Sequence, residues 1–257
     1  MSGRSESKFK NSLNSLKVAG ASLLNLVFPP FCTLCKDELT RVTAQGLCDD
    51  CLEGFHYINN PICTLCGAPF TSKTMENHPC SICTKDKIYF SEARSVVLYK
   101  GAARDAIKGF KYRSDTNLGT PLGSLFAAYS SPLLPIAQNT TVMPVPLHKN
   151  RLKERGFNQS LSLARAFAKV HKLRLDYLKL IRIKDTMPQV RLKGKERADN
   201  IKGAFKLKDN NSFKDSSILL VDDVYTTGAT VKECSKVLIK GGAARVSVLT
   251  LARVAEL

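Results

Sequence analysis

Eight of the nine cysteines form four C-x-x-C pairs, Cys32/Cys35, Cys48/Cys51, Cys63/Cys66 and Cys80/Cys83, separated by 12, 11 and 13 residues. Two thiolates on one tight turn reach a tetrahedral zinc at about 2.3 Å, and a second pair completes its shell. The four pairs therefore predict two structural zinc sites, assembled either sequentially or cross-braced; spacing leaves both arrangements open. His56 and His78 offer substitute ligands, but eight thiolates suffice. Disulfides fit less well, because no convincing secretory cleavage site precedes the first pair and cytosolic thiols stay reduced. Four such pairs within residues 32–83 are also denser than redox chemistry uses. Cys234 stands alone on a predicted helix and reads as an ordinary buried thiol.

A second constellation is ILLVDDVYTTGAT, residues 218–230. A continuous apolar run predicts a strand buried on both faces, which leads into two acids, a turn of small residues and a helix. Backbone N–H groups at a helix N-terminus favour phosphate, and Gly228 lets the chain approach it closely. Thr226, Thr227 and Thr230 add hydroxyls beside Gly228 and Ala229, and Thr230-Val231-Lys232-Glu233 has the form of a capping box. Asp222 and Asp223 fall at the carboxyl edge of the sheet, where carboxylates accept sugar hydroxyls directly or through Mg²⁺.

The elements that must position these groups read as strand–helix–strand from Ala93 onward. Strands are predicted at 93–99, 141–146, 217–221 and 245–251, with helices at 102–110, 161–170 and 231–239. Such alternation argues for an α/β fold with a parallel sheet. The chain has 257 residues and a formal charge of +17, with 44% apolar and 24% charged residues, which rules out disorder throughout. No apolar stretch reaches the roughly 18 residues of a membrane span. Residues 1–90 hold 9 basic and 8 acidic side chains, whereas 145–206 alone hold 17 and 5, so an anionic partner is expected at the C-terminal part. Ahead of Pro29-Pro30, basic residues and an apolar run from Val18 to Phe28 predict an amphipathic helix that packs on the protein or rests on a membrane surface. Three parts follow: the amphipathic helix (1–31), a double zinc-finger-like module (32–90) and an α/β domain (91–257).

The strand, acid pair and T-G-x-T turn resemble the phosphoribosyl-diphosphate (PRPP) signature of type I phosphoribosyltransferases, with Tyr225 where that family usually carries an aliphatic residue. The resemblance implies a cofactor role for Mg²⁺ with PRPP, held by Asp222, Asp223, Thr226, Thr227, Gly228, Ala229 and Thr230. VMPVPLHKNRLKERGFNQS (142–160) is similar to the diphosphate loop, most closely that of amidophosphoribosyltransferases, and offers Lys149, Arg151, Lys153 and Arg155. MPQVRLKGKERADNIKGAF (187–205) takes the place of the mobile catalytic loop, whose basic residues stabilise departing diphosphate. Arg191, Lys193 and Arg197 are the catalytic candidates there, beside Lys195. In order, FPPFCTLC, the repeated C-x-x-C pairs, FKY, VPL…RGFNQ and VDDVYTTGAT resemble the ComF family from about residue 20 to the end. That resemblance implies a type I phosphoribosyltransferase-like parallel sheet flanked by helices, preceded by a small four-cysteine zinc module.

The same resemblance implies a cytoplasmic protein of natural transformation, peripheral at the inner membrane, that handles incoming single-stranded DNA beside a membrane channel or helicase partner. Lys149, Arg151, Lys153 and Arg155 are then the DNA-binding candidates, because the same cations serve a diphosphate or a DNA backbone. Phe110, Tyr112, Phe157 and Phe205, interleaved with basic residues, are candidate base-stacking groups. An active phosphoribosyltransferase with an unknown acceptor is the alternative, and a PRPP sensor without turnover a third reading. The sequence-based expectation for zinc removal is that 32–83 unfolds while the C-terminal domain stays structured.

Overall fold

The computed structural model of the chain describes residues 29–39, 46–70, 76–112, 116–130, 133–186, 194–209 and 213–254. The predicted helix before Pro29 lies outside them. In chain order the elements are α1 (Asp49–Glu53), α2 (Ser81–Lys85), β1 (Glu92–Leu98), α3 (Gly101–Tyr112), a 3₁₀ turn (Thr116–Leu118), α4 (Gly119–Ser130), β2 (Thr141–Pro144), α5 (Lys149–Arg155), α6 (Gln159–His171), β3 (Arg174–Leu175), β4 (Leu180–Arg182), α7 (Gly194–Ile201), β5 (Phe205–Leu207), β6 (Ser217–Tyr225), α8 (Ala229–Lys240) and β7 (Arg245–Arg253). Five strands form one sheet in the order β1-β7-β6-β2-β3, and every pairing in it is parallel. β4 and β5 make a separate antiparallel ribbon.

Strand side chains alternate between two buried faces, as a period of two requires. Val142, Leu219, Val221, Leu249 and Leu251 join Ile107, Phe110, Phe126 and Phe167 of α3, α4 and α6. Met143, Ile218, Leu220, Val246 and Val248 join Val231, Cys234 and Leu238 of α8, with Ile201 and Phe205. This parallel sheet between helix layers, preceded by two four-cysteine clusters, is the fold class expected from the sequence. Cys234 is fully buried, as its solitary position suggested.

The cysteine-bearing part is an internal repeat. Phe31 bridges Glu38 and Ile62 bridges Pro69, both antiparallel. In each knuckle the first cysteine closes a turn: Lys36 N–H donates to Cys32 O and Gly67 N–H donates to Cys63 O, both at 2.9 Å. Both turn residues take positive φ, 70° at Lys36 and 72° at Gly67. Only the second must be glycine, because a Cβ at Gly67 would lie 2.5 Å from the Ala93 carbonyl oxygen of β1.

The two halves of this repeat, a first ribbon bearing Cys32 to Cys51 and a second bearing Cys63 to Cys83, straddle the β1 edge of the sheet. Between them, residues 56–58 pair antiparallel with β1: Leu98 N–H donates to His56 O at 2.8 Å and Ile58 N–H to Val96 O at 3.0 Å. An otherwise open sheet edge is thereby covered. Cys32, Leu39, Leu47 and Phe55 of the first ribbon enter the core on one face. Cys63, Cys66 and Cys83 of the second enter the core on the other. The ribbons are therefore built into both cores, which argues against zinc removal sparing the α/β part.

Two local expectations are corrected. β6 runs four residues beyond Val221, because β7 runs equally far and pairs Asp222 with Thr250, Val224 with Ala252 and Tyr225 with Arg253. Thr230 is not the N-cap that a capping box there requires. α8 begins at Ala229 behind Gly228, which is left-handed at φ 77°, and Glu233 instead accepts the Gly203 N–H at 2.8 Å. Among the described residues no helix is long and apolar enough to cross a membrane.

Candidate functional site

The cysteines gather sequentially: Cys32, Cys35, Cys48 and Cys51 in one cluster, Cys63, Cys66, Cys80 and Cys83 in the other, with the sulfurs of each within 4.8 Å of one another. Four thiolates at about 2.3 Å from a tetrahedral zinc stand about 3.8 Å apart. The sulfurs of Cys32 and Cys51 are 3.8 Å apart, those of Cys35 and Cys48 3.6 Å, and those of Cys66 and Cys80 3.8 Å. The donor sets thus fit two closed structural zinc ions, and the cross-braced alternative is eliminated. Backbone N–H groups help: Cys48 donates to Cys32 Sγ at 3.3 Å and Cys80 to Cys63 Sγ at 3.2 Å. Burial opposes charge on Cys32, yet N–H groups of Cys48, Cys35 and Leu34 bring its pKa down to about 6. Cys63 behaves alike, burial being outweighed by Cys66, Cys80 and Leu65 N–H groups, and falls to about 7.

At the C-terminal edge of the sheet, β6 carries Asp222 and Asp223 to the turn 226–228 and the N-terminus of α8. Ser160, from the first turn of α6, donates to Asp222 Oδ1 at 2.8 Å, and the Asp223 N–H donates to the same oxygen at 2.9 Å. Lys111, from the last turn of α3, sits 2.8 Å from Asp223 Oδ2. Among the described residues the other oxygen of each carboxylate has no partner. Burial, reinforced by the Asp223 charge, raises the Asp222 pKa to about 7, against the pull of Ser160 and Lys111. Burial also opposes the charge on Lys111, but Asp223 and then Asp222 overcome it and hold the ammonium above its ordinary range.

The raised Asp222 value has a stability consequence. The folded chain keeps a proton that the unfolded chain has released between about pH 4 and about pH 7. Its contribution is thus complete below pH 4 and is lost as pH rises through 7. Asp222→Asn, which still accepts both hydrogen bonds, should melt a few degrees above wild type already at pH 5 and about 10 °C above it at pH 8. Scanning calorimetry at both pH values checks this, and a gap that widens toward acid would reverse the assignment.

Lys111 and Ser160 were missed by sequence reasoning, although their motifs were visible. FKY carries Lys111, and RGFNQ ends one residue before Ser160. The two motifs form one supporting network: Phe110 packs on Phe157 with ring centroids 5.1 Å apart. Gln159 Nε2 reaches Phe110 O at 3.5 Å, Arg155 reaches Gln159 Oε1 at 3.3 Å, and Asn158 both caps α6 and donates to Val145 O at 3.0 Å.

The other candidates fall into place unequally. Thr226 and Thr230 are half-buried, Thr227 is exposed, and Gly228 and Ala229 form the entry to α8. Lys149, Arg151, Lys153 and Arg155 occupy a helix, α5, rather than a loop. Lys149 and Lys153 are exposed there, whereas Arg151 pairs with Glu154 at 3.0 Å. Arg191 and Lys193 lie outside the described residues, and Arg197 falls within α7. The stacking role is corrected for Phe110 and Phe205, 1% and 4% exposed, because the inward faces of α3 and β5 turn them into the core. Phe157 is half-buried against Phe110.

A double zinc ribbon domain model matches residues 23–84. Competence protein ComFC of Bacillus subtilis is 31% identical over 252 residues, spanning 91% of this chain and 98% of that protein. The chain belongs to the ComF family. Other ComF-like relatives are competence protein F of Haemophilus influenzae, 30% identical over 86% of this chain and 96% of its own length, and DNA utilization protein YhgH of Escherichia coli K12, 29% identical over 89% and 99%. Among solved structures, a hypoxanthine phosphoribosyltransferase of Staphylococcus aureus aligns with 51% of this chain and 61% of its own at 12% identity and a TM-score of 0.31. The resemblance read from the motifs is thereby shown for the ComF family as a whole.

Proposed function

We propose that this ComF protein binds PRPP and acts in DNA uptake during natural transformation, handling single-stranded DNA at the inner membrane from the cytoplasmic side. One observation carries the ligand reading: two carboxylates, each with an uncommitted oxygen, stand immediately before the positive end of α8. The uncommitted oxygens of Asp222 and Asp223 accept ribose hydroxyls. The N–H groups and hydroxyls of 226–230 hold the 5-phosphate, where free donors and the helix dipole favour an anion. Ser160 and Lys111 keep the two acids in place. Mg²⁺, where bound with PRPP, neutralises the diphosphate charge; oxygen donors of this acid pair suit such a hard cation. The relatives named competence proteins and DNA utilization protein support the process.

Calorimetric titration with PRPP-Mg²⁺, with and without single-stranded DNA, tests the reading. Binding to the wild-type chain supports it, and no heat of binding at any concentration up to millimolar would leave DNA handling alone as the function.

The exposed Lys149 and Lys153 of α5 supply DNA-backbone contacts next to this site, with Arg151 and Arg155 closer to the core. Lys149→Glu with Lys153→Glu should weaken single-stranded DNA binding roughly tenfold at physiological salt and reduce the salt slope by about 1.4, the value for two phosphate contacts. Filter binding across a salt series measures both; an unchanged slope would remove α5 from the DNA path.

Turnover of PRPP to an unknown acceptor is favoured by Arg182. This half-buried guanidinium on β4 lies in the field of Asp222 and Arg151, and its buried Nε has no hydrogen-bond partner among the described residues. Arg191, Lys193 and Arg197 would then stabilise the departing diphosphate. Diphosphate release in the presence of candidate acceptors distinguishes a transferase from a binding protein.

A further inference from the structure

Arg253, the last residue of β7, is 7% exposed and its charge has an unusual set of partners. Its Nη1 donates to Cys66 O at 2.7 Å and its Nη2 to Cys66 Sγ at 3.5 Å. Its guanidinium lies 4.4 Å from the centre of the Tyr225 ring. No carboxylate pairs with it among the described residues. A buried cation without a counter-charge is expensive, and four thiolates around one Zn²⁺ carry a formal charge of about −2. The second four-cysteine site therefore supplies the anion that Arg253 requires.

The Tyr225 ring also supports the phosphate turn. Tyr225 is 4% exposed, and a Cβ on Gly228 would lie 2.3 Å from its hydroxyl oxygen. The turn thus rests directly on the ring, and Arg253 faces Tyr225 in the β6–β7 register. Further bonds clamp the same corner: Val254 N–H to Tyr225 O at 2.9 Å, and Tyr99 N–H to Arg253 O at 2.7 Å. The second ribbon is held to β1 beside it, with Ala93 N–H donating to Leu65 O at 2.6 Å and Arg94 reaching Thr64 O at 3.1 Å.

We propose that Arg253 and Tyr225 are positioning residues that fix the phosphate turn to the second zinc site, so that ligand affinity at the turn depends on that zinc. This rests on the reading of 226–230 as a phosphate site. The contact chain Cys66–Arg253–Tyr225–Gly228 is packed and buried throughout, as coupling by direct contact requires. Coupling between two binding sites is reciprocal, so events at the turn must also be felt at the thiolates.

The test uses the full chain loaded with ¹¹³Cd, whose two four-thiolate signals are assigned by the loss of one in a Cys35→Ser variant. Gly228→Ala pushes the Tyr225 ring and should move only the second-site signal; PRPP-Mg²⁺ added to wild type should move that same signal. Arg253→Met, with both metals retained, should weaken PRPP-Mg²⁺ binding roughly 10- to 100-fold, and Arg253→Lys should recover part of it. A stationary second-site signal in Gly228→Ala overturns the coupling whether or not PRPP binds. Wild type that fails to bind PRPP while Gly228→Ala still moves the signal refutes the ligand reading and keeps the mechanical link. Arg253→Met with wild-type affinity and two metals removes Arg253 from the chain of contacts. Should Arg253→Met fail to fold, Tyr225→Leu replaces it with the same expected loss and the same adverse result.

Discussion

Asp222→Asn combined with Asp223→Asn is expected to weaken PRPP-Mg²⁺ binding at least 100-fold while changing single-stranded DNA affinity less than twofold. Asparagine keeps the shape of each side chain but removes the anionic oxygen left open to a ligand. A charge-assisted hydrogen bond is about twice as strong as a neutral one, and two are lost together. The two substitutions act oppositely on the fold. Asp222→Asn removes a carboxylate whose burial holds its pKa at about 7. Loss of the Asp223 charge leaves Lys111 buried without its partner at 2.8 Å, a change that costs stability because an uncompensated buried charge remains. Adding Lys111→Met to the double variant should recover the melting temperature without recovering PRPP binding. Calorimetric titration and thermal melts on the three proteins separate the effects. Parallel loss of DNA binding in a folded double variant would show that the sites are not separable.

Removing both zinc ions should unfold the β1 edge and its neighbours along with the ribbons. Structural zinc contributes on the order of 10–16 kcal/mol to small thiolate modules, which is as large as the whole stability of a typical domain. Cys32, Leu47 and Phe55 lie in one sheet core and Cys63, Cys66 and Cys83 in the other. Loss of the ribbons would expose both cores, reopen the β1 edge covered by 56–58, and strand Arg253. Amide exchange after chelation should therefore show protection lost through β1, β7 and α3, not only through 32–83. Full retention of protection in 91–254 would mean that the α/β part stands alone, and the boundary near residue 90 would then be a true folding boundary.

The features legible in the sequence were those written in local spacing. Four C-x-x-C pairs at near-constant intervals specify ligand number and knuckle geometry within a few residues, so two four-thiolate sites could be read directly. An apolar run, two acids and a Gly-containing turn likewise specify a strand, a sheet edge and a helix N-terminus in consecutive positions. Aromatic residues among basic ones misled, because the face to which Phe110 and Phe205 turn is set by the packing of α3 and β5, not by their neighbours in sequence. The Thr230 box misled for a related reason: the left-handed Gly228 starts α8 two residues earlier and Glu233 finds a partner in Gly203.

Ligand spacing and the strand–turn–helix order thus determine, from the sequence alone, two four-cysteine sites that fit zinc and an acid pair ahead of a turn that opens a helix. Tertiary structure alone decided that the cysteines pair sequentially, that Lys111 and Ser160 flank the acids, and that Arg253 meets Cys66 across 187 residues. These groups converge because parallel strands in the order β1-β7-β6-β2-β3 bring distant chain segments to one sheet edge. Local periodicity reports which face a residue takes within its own element, but it carries no information on which strands become neighbours.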